Sequence, residues 1–231
     1  MLSVVIATKN SEVPLAHCLS ALVSGAAEGV VRDVVVVDAG STDGTAQVAD
    51  AAGCIFLTRQ AGRGDRMKTG ADAAKRGSWL LFLKPEAVLD AGWHQEVGAF
   101  IDRLERVGRA ERTVGVFSYA VDDFGFGARA RESVVKLRAR VFGLPYEDQG
   151  LLISRRNYER LGGHRDLGSH EDIDLVCRIG GKHIIHLRSR AVVSPENLSR
   201  SLSLLKIIRK TAFVTLCLLR VPTKMIDRLG I

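Results

Sequence analysis

The chain has 231 residues, which is enough for one large domain or two small ones with a substantial core. Hydrophobic residues make up 46% and charged residues 26%, a balance that excludes an intrinsically disordered chain. The net charge of +7 suits a phosphate-bearing ligand or an anionic membrane, whereas nucleic acid is not predicted because no basic cluster is interleaved with aromatics.

The first part of the chain alternates between short apolar runs and segments of helical periodicity. Residues 2–7 and 34–37 are continuous, β-branched apolar runs, which are typical of strands buried on both faces. The segment 14–23 between them has helical spacing, and this long connection predicts parallel strands. We therefore predict an α/β fold with a doubly wound, mainly parallel sheet that binds ligands at the carboxyl ends of its strands. The pattern continues with a helix at 45–52, a strand at 54–57, a helix at 65–75 and a strand at 79–83.

The rest of the sequence extends the same domain, because no repeat, linker or low-complexity segment marks a boundary. The segment 199–220 is dense in apolar residues, but only 211–219 is free of charge, which is too short to cross a bilayer. An amphipathic helix in a membrane interface and a helix packed on the sheet are both open for this segment. The other predicted elements are helices at 92–106, 128–142, 155–161 and 170–179, strands at 113–119, 150–154 and 183–187, and a loop at 122–127.

A carboxylate, Asp38, immediately follows the second predicted strand in the sequence VVVVDAGSTDGT. A residue there lies at the rim where ligands bind, and its oxygens can accept hydrogen bonds from a base or ribose. Ala39 and Gly40 permit a tight turn after it. The alternative is that these residues form only a strand-to-helix turn.

A second candidate site is the cationic, glycine-containing stretch at the start of the third predicted helix. It contains Gly62, Arg63, Gly64, Arg66 and Lys68. Helix amino ends and guanidinium groups both favour anions, so we predict that a diphosphate binds here. The alternative is a solvated helix face.

The segments SVVIATKNSE and VVVVDAGSTDGT resemble the opening of family 2 glycosyltransferases, which carry a strand followed by V-D-D-G-S-x-D-G-T. Residues 62–86 are similar to a bacterial subgroup of that family, with the pattern G-R-A-x-Q-M-N-x-G-A and then W-L-L-F-L-H-A-D. The resemblance covers most of residues 3–93 and resumes at 146–181. It implies sugar transfer from a nucleotide-sugar donor by one GT-A domain over 1–231. Its parts are a nucleotide-sugar-binding half at 1–93, an acceptor and catalytic half at 94–198, and C-terminal amphipathic helices at 199–231.

The resemblance assigns the donor site residue by residue. Asp38 falls on the first Asp of the signature, which the family uses to hold the nucleotide base, and Ala39 replaces the second. Lys68 stands where the subgroup has Asn. The implied donor-binding residues are Ala7, Thr8, Asn10, Asp38, Gly40, Arg63, Arg66 and Lys84.

Lys84-Pro85-Glu86 stands where GT-A enzymes place a D-x-D motif. In those enzymes a carboxylate holds a divalent cation that bridges the donor diphosphate. The predicted cofactor is therefore Mn²⁺ or Mg²⁺, with Glu86 as its ligand. Two alternatives stay open: Lys84 takes over part of the charge neutralisation, or the site is inactive.

The segments PYEDQGLLISRR and HEDIDLVCRIG resemble the acceptor half of the same family. Inverting transfer needs a carboxylate to take the proton from the acceptor hydroxyl. Asp172, the second residue of the family's E-D pair, is the predicted base, with Glu171 as its catalytic neighbour. Asp148 and Gln149 are the predicted acceptor-binding residues. The alternative for the acidic pair is electrostatic stabilisation of a helix amino end.

Two other classes of function compete with the transferase. A catalytically degenerate GT-A-like scaffold is favoured by Ala39, Lys68 and Lys84, all departures at functional positions. A nucleotidyltransferase is disfavoured, because residues 8–11 lack the glycines of a phosphate-binding loop after the first strand.

The cysteines and the amino terminus bear on the compartment. No two cysteines form a CxxC pair, so neither a zinc site nor a disulfide framework is predicted. The apolar stretch within residues 1–10 is too short for a signal-peptide core. We expect a cytoplasmic location, with peripheral membrane contact through 199–220. The cysteines are Cys18, Cys54, Cys177 and Cys217.

Overall fold

The computed structural model describes residues 1–122, 149–167 and 171–194 of the chain. Helices and strands alternate over the first half, as the sequence predicts. The strands are β1 (Leu2–Thr8), β2 (Val31–Asp38), β3 (Ile55–Thr58), β4 (Trp79–Leu83), β5 (Ala87–Leu89), β6 (Val114–Val121), β7 (Leu151–Ser154) and β8 (Ile184–Val193). The helices are α1 (Glu12–Ala27), α2 (Thr45–Ala51), α3 (Arg63–Ala73), α4 (Trp93–Arg106), α5 (Arg155–Arg160) and α6 (Glu171–Ile179), with a short 3-10 turn at Gly181–His183.

The strands form one eight-stranded sheet in the order β3-β2-β1-β4-β7-β6-β8-β5. Strands β1 to β4 are parallel, whereas β7 runs antiparallel to both β4 and β6. Strand order reverses at β1, which lies between β2 and β4, and ligands of doubly wound sheets bind at such a point. The predicted α/β fold with a doubly wound, mainly parallel sheet is therefore confirmed.

Helices cover both faces of the sheet, as buried parallel strands require. Along β1, Val4 and Ile6 belong to the core layer that contains α1 and α4. Val5 and Ala7 belong to the opposite layer, which contains α3 and α6. The continuous apolar run of β1 thus supplies both layers and fixes the sheet between them.

Helix α1 is longer than the predicted helix at 14–23, because it continues through Gly25. A Cβ at Gly25 would lie 2.7 Å from the Trp93 ring, so glycine here permits close packing of α1 on α4 rather than a break. The Trp93 indole Nε1–H also donates to the Ala21 carbonyl at 2.9 Å. Gly25 is therefore a packing residue within the helix.

Strand β8 runs to Val193 and is longer than the predicted strand at 183–187. Its second half pairs with β5, a short strand that the sequence did not predict. The exposed side chains of Arg188 and Arg190 interrupt the apolar pattern there, so periodicity alone ends the strand too early. The predicted helix at 128–142, the segment 199–220 and all but Asp122 of the predicted loop lie outside the described residues. Where residues are described, no helix is both long and apolar enough to span a membrane.

Candidate functional site

Asp38 at the end of β2 is 2% exposed, and its carboxylate accepts four hydrogen bonds. Its Oδ1 accepts from Thr8 Oγ1 at 2.9 Å and from Ser41 Oγ at 2.5 Å. Its Oδ2 accepts from the N–H groups of Gly40 at 2.8 Å and Ser41 at 2.6 Å. Burial opposes ionisation, but these bonds hold the pKa of Asp38 below its ordinary value. Asp38 therefore fixes the turn after β2, and its contact with a nucleotide base stays a prediction.

Asn10 connects the loop after β1 to the same turn. Its N–H donates to Ser41 Oγ at 2.7 Å, and its Oδ1 accepts from the Thr42 N–H at 2.9 Å. Its φ of 49° is a left-handed conformation that Asn adopts more readily than most residues. Gly40, with a φ of 86°, provides the reversal on the other side. These two predicted donor-binding residues therefore lie at the carboxyl ends of β1 and β2.

The amino end of α3 packs tightly against the loop that leads into α6. A Cβ on Gly64 would lie 2.1 Å from the Arg165 carbonyl oxygen. A Cβ on Gly62 would lie 1.9 Å from Asp166 Oδ1. Only glycine permits this approach, which explains why an arginine flanked by two glycines begins the helix. The approach joins the two predicted halves of the site.

Arg63 binds both members of the acidic pair at the start of α6. Its Nη1 donates to Glu171 Oε1 at 2.9 Å and also to Asp172 Oδ2. The exposed fractions of the side chains are 20% for Arg63, 3% for Glu171 and 25% for Asp172. The acidic pair therefore does more than stabilise a helix amino end. It forms a largely buried ion cluster with a cation from the other half of the chain.

The two carboxyl groups of this cluster have opposite pKa shifts. Burial raises the pKa of Glu171, and the neighbouring charge of Asp172 raises it further. Burial also disfavours the charge of Asp172, but Arg63, His164 and Lys84 together hold its pKa well below the ordinary value. Asp172 is thus the carboxylate that stays ionised, as a proton acceptor must, and Glu171 is the one that holds a proton more readily.

Arg66 connects this cluster to the end of β1. Its Nη1 donates to the Thr8 carbonyl at 2.6 Å, while its Nε is buried and has no acceptor among the described residues. Burial and the nearby charge of Arg63, three residues earlier on α3, lower the pKa of Arg66. Hydrogen bonds join Asp38, Thr8 and Arg66, and Arg63 with Asp172, and the two arginines lie three residues apart on α3. We call these five residues the carboxyl-edge network.

The charges of Lys84 and Glu86 act on different residues, although only one residue separates the two in sequence. The charge of Lys84 contributes to the low pKa of Asp172. Glu86 affects Cys18 on α1 instead, where burial, with Glu86 second, raises the thiol pKa to about 12. The turn between them closes with a bond from the Ala87 N–H to the Lys84 carbonyl at 3.1 Å.

The structure gives less support to the predicted metal-binding and acceptor-binding residues. No three His, Cys, Asp or Glu residues within the described ranges are grouped so as to hold a metal ion. Gln149 is 3% exposed and donates to the Phe117 carbonyl at 2.8 Å, so it tethers β7 to β6. Asp148 lies outside the described residues. The metal role of Glu86 and the acceptor roles of Asp148 and Gln149 stay predictions.

Sequence reasoning missed His164, whose buried ring lies next to the Asp172 carboxylate. Its Nε2 is 3.4 Å from Asp172 Oδ1, and its Nδ1 is 2.9 Å from the Tyr158 hydroxyl. The signal was present as Gly162-Gly163, which the sequence marks as a helix end. The histidine after that pair belongs to no motif, so the sequence alone assigns it no role.

A groove of about 1090 Å³ lies at the opposite end of the sheet. It is lined by residues at the amino ends of β4, β6 and β8, including Trp79, Thr113 and Ile185. None of the predicted site residues lines it. The chemistry of the carboxyl-edge network, rather than the size of this groove, locates the candidate site.

Comparison with known families identifies the chain. The sequence profile described as glycosyl transferase family 2 matches residues 3–130, more than half of the chain. The chain belongs to glycosyl transferase family 2. No curated protein matches it.

Solved structures of family 2 proteins share the fold. TarS from S. aureus has a TM-score of 0.64 and 20% identity, over 86% of this chain and 38% of TarS. The glucosyl-3-phosphoglycerate synthase from Mycobacterium tuberculosis, in complex with Mn²⁺, UDP and glucosyl-3-phosphoglycerate, has a TM-score of 0.62 and 20% identity, over 96% of this chain and 81% of that one. The chain is therefore much shorter than TarS. At this identity the likeness shows the fold, and the predicted GT-A fold of this family 2 chain is confirmed.

Proposed function

We propose that the chain is an inverting glycosyltransferase that moves a sugar from a nucleotide-sugar donor to an acceptor hydroxyl. The observation that carries the proposal is the carboxyl-edge network, which combines two adjacent cations with an ionised carboxylate at the switch point of the sheet. Among the structural relatives, a TarS fragment is in complex with UDP-GlcNAc and the M. tuberculosis synthase with UDP-glucose. Donors of this chemical class fit two guanidinium groups.

Arg63 and Arg66 are the proposed diphosphate-binding residues. Arg63 makes its two bonds to the acidic pair through Nη1 alone among the described residues, so its other donors can bind a phosphate oxygen. Arg66 Nε is a buried hydrogen-bond donor with no acceptor among the described residues. An oxygen of a bound anion would supply the missing acceptor. Asp38, Thr8, Ala7, Asn10 and Gly40 shape the adjoining turn, where the base and ribose are proposed to bind.

Asp172 is the proposed general base. It takes the proton from the acceptor hydroxyl while that oxygen bonds to the anomeric carbon and the carbon–diphosphate oxygen bond breaks. The displacement occurs in one step from the face opposite the leaving group, so the configuration inverts. The negative charge that develops on the diphosphate is stabilised by Arg63, Arg66 and Lys84. Glu171 holds Arg63 in place between the leaving group and the base.

A divalent cation is proposed as a helper at Glu86, which is the single carboxylate left of the D-x-D motif. Because no metal-binding group of three residues is found in the described part, such a cation would need diphosphate and water oxygens for most of its coordination. When bound, it would neutralise diphosphate charge. The proton transfer and the displacement proposed above depend on the chain's own residues.

The test is a panel of nucleotide sugars, measured for binding by calorimetry and for release of the nucleoside diphosphate, with and without candidate acceptors. The transferase requires both binding and release for at least one donor. Donor binding without release of the nucleoside diphosphate, even after acceptor extracts are added, would instead favour the catalytically degenerate scaffold. Ala39, Lys68 and Lys84, which depart from the family pattern, suggest that alternative. A lipid-linked or membrane-proximal acceptor and a cytoplasmic location with membrane contact through 199–220 remain part of the proposal, and vesicle co-sedimentation tests the latter.

A further inference from the structure

His164 is fixed in a fully enclosed position between α5 and α6. Its side chain has no exposed surface, and its ring packs edge-on against Phe82 with 4.6 Å between the ring centroids. Gly162 and Gly163 precede it with φ values of 79° and 68°, which reverse the chain after α5. Arg178 on α6 donates to the Gly163 carbonyl at 2.8 Å and so ties this reversal to the helix that carries Asp172.

The hydrogen bonds of Tyr158 favour one position for the hydrogen on the His164 ring. The Tyr158 oxygen accepts from the His164 backbone N–H at 3.0 Å. Its single hydroxyl proton is then available for His164 Nδ1, which lies 2.9 Å away. With Nδ1 as the acceptor of this proton, the hydrogen of the neutral ring lies on Nε2, since the bond at one nitrogen sets the state of the other. Burial lowers the pKa of His164, in agreement with a neutral ring.

The Nε2–H group points at the proposed base. Nε2 lies 3.4 Å from Asp172 Oδ1, whereas Asp172 Oδ2 is bound by Arg63. At this distance the contact is longer than a well-formed N–H···O bond, and Nε2 has no other acceptor among the described residues. A small displacement of Asp172 towards the ring completes the bond, and contacts of catalytic groups commonly tighten in this way in the reacting complex.

We propose that His164 is a positioning residue that orients Asp172 and keeps it ionised through a neutral Nε2–H donor. The inference rests on the proposed role of Asp172 as general base. In the proposed function Arg63 binds Asp172 through Nη1 and the diphosphate through its other donors, so a second donor to Asp172 keeps the base in place as charge develops on the leaving group. His164 contacts Asp172 from the buried side, so the exposed part of the Asp172 carboxylate is left for the acceptor hydroxyl.

Two substitutions separate this role from packing. His164→Gln places an amide N–H near the position of Nε2, whereas His164→Asn keeps a partner for Tyr158 but is too short to reach Asp172. Release of nucleoside diphosphate is measured with water or an acceptor, using a donor that the panel shows to be active. We expect His164→Asn to lower kcat by about 10- to 100-fold with an unchanged donor Kd, and His164→Gln to recover most of it. The acid limb of the kcat–pH profile should move to higher pH in His164→Asn only, because a lost donor disfavours the ionised form of Asp172.

Asp172→Asn, measured in parallel, distinguishes a failure of the inference from a failure of the proposed function. If His164→Asn keeps wild-type kcat and acid limb while Asp172→Asn loses turnover, the role of His164 is overturned and the base stands. If Asp172→Asn retains turnover, the base assignment and the inference fail together. A ¹⁵N NMR spectrum of the histidines is independent of activity and of the folding of any variant. A hydrogen on His164 Nε2 supports the inference, and a hydrogen on Nδ1 overturns it.

Discussion

Asp172 and Glu171 share one nitrogen of Arg63, the Nη1 atom, although Asp172 lies 109 positions after Arg63 in the chain. The bonds join the start of α3 to the start of α6, so they link the proposed donor-binding half to the proposed catalytic half. Because the cluster is mostly buried, the loss of its cation leaves carboxylates that neither water nor another described contact fully compensates. This ion cluster therefore connects the stability of the fold with the state of the proposed base.

Arg63→Met should destabilise the protein by about 3 kcal/mol at neutral pH, because it leaves buried carboxylates without their cation. The pKa of Asp172 is lower in the folded than in the unfolded chain, where it is about 3.9. Its ion pair therefore stabilises the folded state above about pH 4, and this contribution is lost as the pH falls through the folded pKa. Urea unfolding at pH 7 and pH 3 should show a smaller difference between wild type and variant at pH 3.

Arg59→Met is the matched control for this prediction. Arg59 pairs with Asp65 at 2.8 Å, but the two side chains are 55% and 30% exposed. Such a surface pair contributes only about 0–1 kcal/mol. Equal losses of unfolding free energy in Arg59→Met and Arg63→Met would contradict the buried ion cluster.

Gly64→Ala should destabilise the protein by about 1–3 kcal/mol, because the new methyl group meets the backbone of Arg165. Gly98→Ala on α4 is the control, since a Cβ there meets nothing within 4 Å and alanine favours a helix. Thermal unfolding should give a lower midpoint for Gly64→Ala and an equal or higher one for Gly98→Ala. A wild-type midpoint for Gly64→Ala would mean that the two halves of the site are not packed as described.

Glu86→Gln should abolish any stimulation of donor binding or cleavage by Mn²⁺ or Mg²⁺, because the amide removes the charge of the one carboxylate in the Lys84-Pro85-Glu86 segment. Titration of each cation against wild type and variant, at a fixed donor concentration, measures the effect. A metal response that survives in the variant would show that Glu86 is not a ligand.

The fold could be predicted because buried parallel strands appear in the sequence as continuous apolar runs. The apolar runs at β1, β2 and β4 and the helical spacing between them fix a parallel, doubly wound sheet. The short edge strand β5 could not be predicted, since its pairing with β8 depends on tertiary structure. Gly25 likewise has a packing role that depends on a ring distant in sequence.

The candidate site was predictable where a residue belongs to a motif or follows a strand. Arg63 and Asp172 were both singled out from sequence, yet their direct contact depends on two glycines fitting against a distant backbone. His164 was missed because its role comes from three-dimensional neighbours rather than from spacing. The sequence also does not show that the charge of Lys84 acts on Asp172 whereas that of Glu86 acts on Cys18, because these effects depend on distances in the folded chain.

The central claim is that Asp172 is the base of a sugar transfer at the carboxyl-edge network, and Asp172→Asn tests it most directly. Rates of nucleoside diphosphate release and donor Kd are measured for wild type and Asp172→Asn with the active donor from the panel. The account predicts a fall in kcat of about 10²- to 10⁴-fold with donor binding retained. Wild-type turnover in Asp172→Asn would contradict it.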